Sequence, residues 1–195
     1  ANDAAISQEL RAILTAKTFG RGIRRAAERK AIQKFYAANN YAPLWIRGGG
    51  LTPRAKTVIA RLQDAETDGL SASDYPVPPF ATFESAARLA KGDIALTYAL
   101  LTFTRHLSTG RIAPRRMFAQ VEYGDHTPDP NATLKTVFET RDVDAAIESF
   151  NPHVRDFHAL KRKLAVLRSE NSDGEAERIP DGPIIRPGKK DARIP

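Results

Sequence analysis

Apolar side chains recur every three to four residues along most of this chain, which is the spacing of one face of an α-helix. Alternating apolar and polar positions, the pattern of a strand, are nearly absent. The chain is therefore predicted to be all-α, a multi-helix bundle of about six to eight helices. The predicted helices cover approximately residues 4–17, 23–39, 53–68, 80–90, 93–108, 132–140, 143–150 and 153–168.

The second predicted helix leads into a short extended segment. Its apolar side is formed by five residues: Ala27, Ala31, Ile32, Phe35 and Tyr36. Asn39 and Asn40 can end the helix, because Asn tolerates the left-handed turn found there. Residues 42–45 (APLW) follow, and a proline disfavours helix at the residue before it. The single Trp of the chain is expected to anchor the core.

The third predicted helix has the clearest boundaries. Thr52 is a good N-cap and Pro53 a good first helical residue. Gly69 stands where a left-handed C-cap belongs, and Leu70 can pack back on the last turn. The helix at 93–108 is apolar nearly all round, which is typical of a helix in the middle of a bundle. A loop at 111–129 is expected to be ordered and packed on the bundle.

The last predicted helix and the tail define the domain boundary. Residues 153–168 carry an apolar stripe at helical spacing, formed by Val154, Phe157, Leu160, Leu164 and Leu167. Residues 169–195 hold four prolines, three glycines and few bulky side chains, as an extended linker does. We therefore assign residues 1–168 to one helical domain and 169–195 to a Pro/Gly-rich tail.

Composition removes several kinds of chemistry. The chain has no cysteine, which excludes disulfides and a thiolate nucleophile from these residues. No apolar run reaches the ~20 residues that a membrane-spanning helix needs. The net charge of +7 favours an anionic partner, such as nucleic acid, lipid headgroups or cell-wall polymer.

Catalytic and metal-binding patterns are weak. The four histidines, His106, His126, His153 and His158, lack the spacing of a metal site, and no metal or cofactor is predicted. No serine lies in a nucleophile elbow. Glu122 and Asp125 are the one acidic pair that merits a check for glycosidase chemistry.

Basic and aromatic residues offer candidate contacts. One basic cluster surrounds a glycine turn, and it is a candidate contact for an anionic polymer or a partner: Arg105, Arg111, Arg115 and Arg116. Another occupies the second helix: Arg21, Arg24, Arg25, Arg29, Lys30 and Lys34. A solvated helix face is the simpler interpretation of both clusters. Five aromatic residues are candidates for a sugar-stacking groove, although core packing is favoured: Tyr36, Tyr41, Trp45, Tyr75 and Phe80.

Several short motifs, in order, resemble the scaffold domain of large bacterial L,D-transpeptidases. Residues 35–45 (FYAANNYAPLW) resemble its opening signature. Its Gly-Leu helix end and Asp-Tyr are matched at 69–70 and 74–75, and its Asp-x-x-Leu-Thr helix at 93–97. The Gly-Arg turn and proline are matched at 110–114. The matching residues, expected to be structural, are Tyr36, Pro43, Leu44, Trp45, Gly69, Leu70, Tyr75, Asp93, Thr97 and Gly110.

The end of the chain extends the resemblance. The closing helix is similar to residues 151–164, although Phe157 stands where a Tyr is usual. Residues 182–195 resemble the entry to a peptidoglycan-binding region. The resemblance thus covers about residues 32–195.

The resemblance implies a periplasmic cell-envelope enzyme that cross-links peptidoglycan stem peptides through an acyl-enzyme on cysteine. The Ser-His-Gly-Cys signature of that family does not occur in these residues, so this chain is expected to be a non-catalytic scaffold. Its expected partners are the catalytic and peptidoglycan-binding domains of a longer protein, with peptidoglycan or another cell-wall protein as further candidates. An exposed apolar groove, where other helices dock, is expected as well.

Two other functions stay open at this point. A basic nucleic-acid-binding or regulatory module is supported by charge alone, and no nucleic-acid-binding motif supports it. An independent cell-wall hydrolase is the other alternative.

Overall fold

The computed structural model describes residues 2–112 and 127–172. Within these ranges there are seven α-helices: α1 (Asp3–Thr15), α2 (Ala26–Ala38), α3 (Pro53–Gln63), α4 (Ala86–Thr109), α5 (Pro130–Glu139), α6 (Val143–Glu148) and α7 (Arg155–Ser172). Three 3-10 turns lie at Ala65–Asp68, Ala72–Asp74 and Phe80–Thr82. Strands β1 (Ile46–Arg47) and β2 (Gly50–Leu51) form a minimal antiparallel hairpin. The predicted all-α fold is confirmed.

Helix α4 is the central element of the bundle. Helices α1, α2, α3 and α5 all pack against it. Its buried residues lie on almost every side, and Leu96, Leu100 and Phe103 are completely inaccessible to solvent. The prediction of a central helix between residues 93 and 108 is therefore confirmed.

The start of α4 differs from the prediction. The sequence predicted two helices, at about 80–90 and 93–108, but a single helix of 24 residues begins at Ala86. The Ser85 hydroxyl caps it by accepting a hydrogen bond from the Arg88 backbone N–H. Gly92 does not interrupt the helix, since its missing side chain makes room for Phe83: a Cβ there would lie 2.7 Å from that ring. Packing thus overrides the low helix propensity of glycine.

The buried side of α2 also differs from the prediction. Ala27, which was assigned to the buried stripe, is exposed, whereas Glu28 is buried. The reason is an ion pair across the bundle: Arg105 on α4 lies 3.0 Å from the Glu28 carboxylate. The remaining members of the predicted stripe are buried or partly buried.

The predicted ends of the third helix are largely correct. The Thr52 hydroxyl accepts a hydrogen bond from the Ala55 backbone N–H at 3.1 Å. Gly69 has a φ of 73°, and the Leu70 N–H donates to the carbonyl of Ala65. The α-helix itself ends at Gln63, and the 3-10 turn Ala65–Asp68 completes the segment.

Helix α7 continues to Ser172, four residues past the predicted domain boundary. The Pro/Gly-rich tail from residue 173 onward and most of the predicted loop, residues 113–126, lie outside the described residues. In the described ranges, no helix combines the length and apolarity that crossing a bilayer requires.

Candidate functional site

The carboxylate of Asp93 on α4 binds two distant segments of the chain. Its Oδ1 atom accepts hydrogen bonds from the Tyr36 hydroxyl at 2.5 Å and from the Leu44 N–H at 3.0 Å. Its Oδ2 atom accepts one from the Trp45 N–H at 2.9 Å. One buried acid therefore joins α4 to the end of α2 and to the extended segment that follows.

Thr97, one turn further along α4, completes this arrangement. Its hydroxyl accepts a hydrogen bond from the Trp45 indole N–H at 2.8 Å and lies 2.9 Å from the Tyr36 hydroxyl. The indole ring also packs against Phe138 on α5, with 4.7 Å between the ring centroids. We refer to Tyr36, the Leu44–Trp45 segment, Asp93 and Thr97 as the buried polar network.

Burial sets the ionisation of this network. It raises the pKa of Asp93 from 3.8 to about 6, and the hydrogen bonds from Tyr36, Leu44 and Trp45 oppose the rise. Burial and the neighbouring Asp93 charge raise the pKa of Tyr36 well above its usual value, so the phenol stays protonated and donates. Both side chains and those of Trp45 and Thr97 are inaccessible to solvent. Their hydrogen bonds join α2, the extended segment and α4 inside the core.

The raised pKa of Asp93 predicts a specific pH dependence. The folded chain binds this proton more tightly than the unfolded chain, so the extra stability that the bound proton provides is full below pH 4 and is lost as pH rises to about 6, while the hydrogen bonds to the carboxylate remain. We expect the stability difference between the wild type and Asp93→Asn to shrink over that interval, by about 3 kcal/mol at most. Urea unfolding of both proteins at several pH values measures it. A difference that grows with pH would contradict the assignment.

The other residues of the family-like motifs lie at helix ends and in the core. Tyr75 is buried, and its hydroxyl lies 2.8 Å from Nδ1 of His106. Burial raises the pKa of Tyr75 to about 12 and lowers that of His106 to about 4, so at neutral pH the phenol donates to a neutral imidazole. Gly110 ends α4 with a φ of 73°. Pro43 is partly buried at the start of the extended segment.

The candidate basic cluster near Gly110 is partly neutralised. Arg105 is mostly buried and pairs with Glu28 at 3.0 Å. Arg111 is half exposed, and its Nε atom lies 2.9 Å from the Asp74 carboxylate. Arg115 and Arg116 lie outside the described residues. Contact of this cluster with an anionic polymer or a partner stays a prediction.

The candidate aromatic groove does not form from the five residues considered. Tyr36, Trp45 and Tyr75 are buried in the core. Tyr41 is partly buried with the Arg11 guanidinium 4.8 Å from its ring centroid, and Phe80 packs against Phe83. Core packing, the favoured interpretation, accounts for all five.

The residues considered for metal binding and for glycosidase chemistry lie partly outside the described part of the chain. There, no three side chains of His, Asp or Glu come together in a way that could hold a metal ion. The acidic pair Glu122 and Asp125, and His126, lie outside it.

Helix α7 is attached to the bundle by charged groups. The Asp68 carboxylate, completely buried, lies 2.6 Å from Lys161 of α7 and 3.0 Å from Arg61 of α3, and it accepts from the Asn151 amide. Glu148 pairs with the same Lys and Arg. Burial disfavours both charged forms, yet the pairing prevails: the pKa of Glu148 is lowered and that of Lys161 is raised. We call these five residues the α7 anchor.

One flank of α7 carries exposed apolar side chains. Leu160 is 70% exposed and Leu167 is 44% exposed, whereas Leu164 lies against Gly69. In the described ranges, every strongly exposed large apolar residue except Ile112 falls between Val154 and Leu167. The stripe predicted from the sequence therefore exists, but no described element covers its outer part.

Comparison with known proteins supports a structural role. No curated protein and no solved structure matches the chain. A family model described as a scaffold domain matches residues 30–164, from α2 into α7. The matched range contains the whole buried polar network and the whole α7 anchor, and it spans more than half of the 195 residues. The chain belongs to the Scaffold domain family.

Proposed function

We propose that this chain is the non-catalytic scaffold domain of a periplasmic L,D-transpeptidase that cross-links peptidoglycan stem peptides. The observation that carries the proposal is the buried polar network. Tyr36, Trp45, Asp93 and Thr97 come from two of the motifs that resemble that family, about 50 residues apart in sequence, and they meet in one sealed cluster. The motifs thus act together to hold a framework rather than to perform a reaction.

The chemistry of the proposed enzyme has to come from other polypeptide. A thioester intermediate needs a cysteine thiolate, and these 195 residues contain no cysteine. In this proposal the domain positions a catalytic domain of the same protein.

The flank of α7 that carries Leu160 and Leu167 is the proposed contact with that neighbouring domain. These two exposed side chains lie two helical turns apart on the same flank, and exposed apolar surface favours an interaction. We therefore expect Leu160→Asp to change the free energy of unfolding of this chain by less than about 0.5 kcal/mol, because the side chain is exposed. Urea unfolding measures this, with Leu100→Asp, buried at the centre of α4, as the destabilising comparison. A large loss of stability in Leu160→Asp would contradict an uncovered surface.

Murein analysis tests the proposed function. Cells carrying the intact gene should contain stem peptides joined by L,D cross-links, and deletion of the gene should reduce their fraction. The gene with Asp93→Ala should give the same reduction, because the framework is lost. A murein composition that is unchanged in both strains would overturn the proposal, as would cross-linking by residues 1–195 alone.

A further inference from the structure

The net charge of the chain is concentrated at its N-terminal end. Residues 1–50 contain nine Arg and Lys against three Asp and Glu, which accounts for +6 of the total of +7. The remaining residues carry 21 basic and 20 acidic side chains and are almost neutral. Such asymmetry within one domain favours an anionic partner at one face.

Five basic side chains of this region are exposed. We define the cationic face as Arg21, Arg24, Arg25, Lys30 and Lys34. None of the five has an acidic group within ion-pair distance in the described residues, whereas Arg105 and Arg111 of the other basic cluster each have one. The face therefore keeps its full charge toward solvent.

Arg29 fixes the connection that carries Arg21 and Arg24 against α2. The Arg29 side chain packs on Gly20, and its guanidinium donates to the Ile23 carbonyl at 2.7 Å. The connection before α2 is thereby folded onto the first turn of that helix. Lys30 and Lys34 follow on the exposed side of α2, one turn apart. The opposite side of α2 packs on α4 and α5, so Lys30 and Lys34 point away from the bundle, whereas Arg25 lines the same small cavity as Arg105 of α4.

The surroundings of the cationic face argue against single-stranded nucleic acid and against membranes. Base stacking needs exposed aromatic rings, but Phe19 and Phe35, the aromatics nearest to the cations, are packed against the core. Membrane binding of a helix needs exposed apolar side chains beside the cations, and no large one is exposed in residues 2–50. A hydrophilic polymer with repeated negative charges fits better.

We propose that the cationic face binds the carboxylates of peptidoglycan stem peptides; this inference rests on the proposed function. A single exposed ion pair contributes little. A polymer that presents many carboxylates adds several such contacts, which makes the binding multivalent and sensitive to salt. The cationic face would then hold the scaffold on its polymer while α7 contacts the neighbouring domain.

The test is a binding titration of residues 1–195 on purified sacculi at low and high salt. The first variant replaces Arg21, Arg24, Lys30 and Lys34 with Gln. The matched control replaces four exposed cations at other places, Arg141, Arg155, Arg162 and Lys163, with Gln and so has the same net charge. We expect about tenfold weaker binding for the first variant and little change for the control. Amidation of the sacculus carboxylates should weaken wild-type binding to the same extent.

Three results would overturn the inference. If the first variant binds sacculi with wild-type affinity, the cationic face does not take part in binding. If both variants lose affinity equally, binding depends on net charge alone. Tighter binding to duplex DNA or to phosphatidylglycerol vesicles than to sacculi assigns the face to another partner. The murein analysis measures cross-links rather than binding, so the proposed function and this inference can fail separately.

Discussion

Replacement of Asp93 by alanine is expected to lower the free energy of unfolding by about 3–5 kcal/mol at neutral pH. The change removes the acceptor of three hydrogen bonds. The Tyr36 hydroxyl can turn toward Thr97, which lies 2.9 Å away, but the N–H groups of Leu44 and Trp45 lose their partner. A buried N–H group without an acceptor destabilises the folded chain by the full free energy of its desolvation.

Urea unfolding with two further variants makes this test specific. Asp93→Asn should be less destabilising than alanine, because its amide oxygen still accepts while its NH2 group faces one N–H donor. Asp144→Ala is the matched control, since that carboxylate is 62% exposed and has one long contact to Arg61, at 3.4 Å. It should change stability by less than about 0.5 kcal/mol. Equal stability of Asp93→Ala and Asp144→Ala would refute the structural role of the network.

Replacement of Asp68 by alanine is expected to release α7 from the bundle. The carboxylate is completely buried beside Lys161 and Arg61. Its loss removes one of the two acidic partners of each cation and the acceptor of the Asn151 amide. Residues 155–170 of α7 include no buried residue, so few apolar contacts can compensate. Loss of a partner from a largely buried ion pair costs about 3 kcal/mol, which corresponds to roughly 100-fold faster opening.

Hydrogen exchange locates this effect. Amides of α7 should exchange roughly 100-fold faster in Asp68→Ala, whereas amides of α4 should change much less, because local opening does not require global unfolding. Glu66→Ala is the control: it also removes an ion pair to α7, with Arg168, but both side chains are largely exposed. Its effect on α7 should be small. Equal protection of α7 in wild type and Asp68→Ala would show that other contacts hold this helix.

Local signals in the sequence predicted the fold class and several helix ends correctly. The caps at Thr52 and Gly69 depend on neighbouring backbone groups, so a few adjacent residues determine them. The apolar period around Leu96 and Leu100 likewise identified the central helix without knowledge of its neighbours.

Errors occurred where a distant residue decides the outcome. Ala27 was predicted in the buried stripe of α2, but Glu28 is buried instead, and its partner Arg105 lies 77 positions away. The sequence predicted separate helices at about 80–90 and 93–108, but one helix runs through Gly92, where the ring of Phe83 fills the space beside it. The burial of Asp68 could not be inferred either, since its partner Lys161 belongs to the last helix.

The sequence by itself determined that the chain is helical, where the central helix lies and that no thiol chemistry is available, because periodicity, capping and composition are local properties. Only the tertiary structure decided which charged groups are buried in pairs and which remain free. Buried pairs such as Asp68 with Lys161 join residues far apart in the chain, and they form only when packing brings the helices together. The cationic face of α2 and the uncovered side of α7 are the surfaces that this packing leaves available.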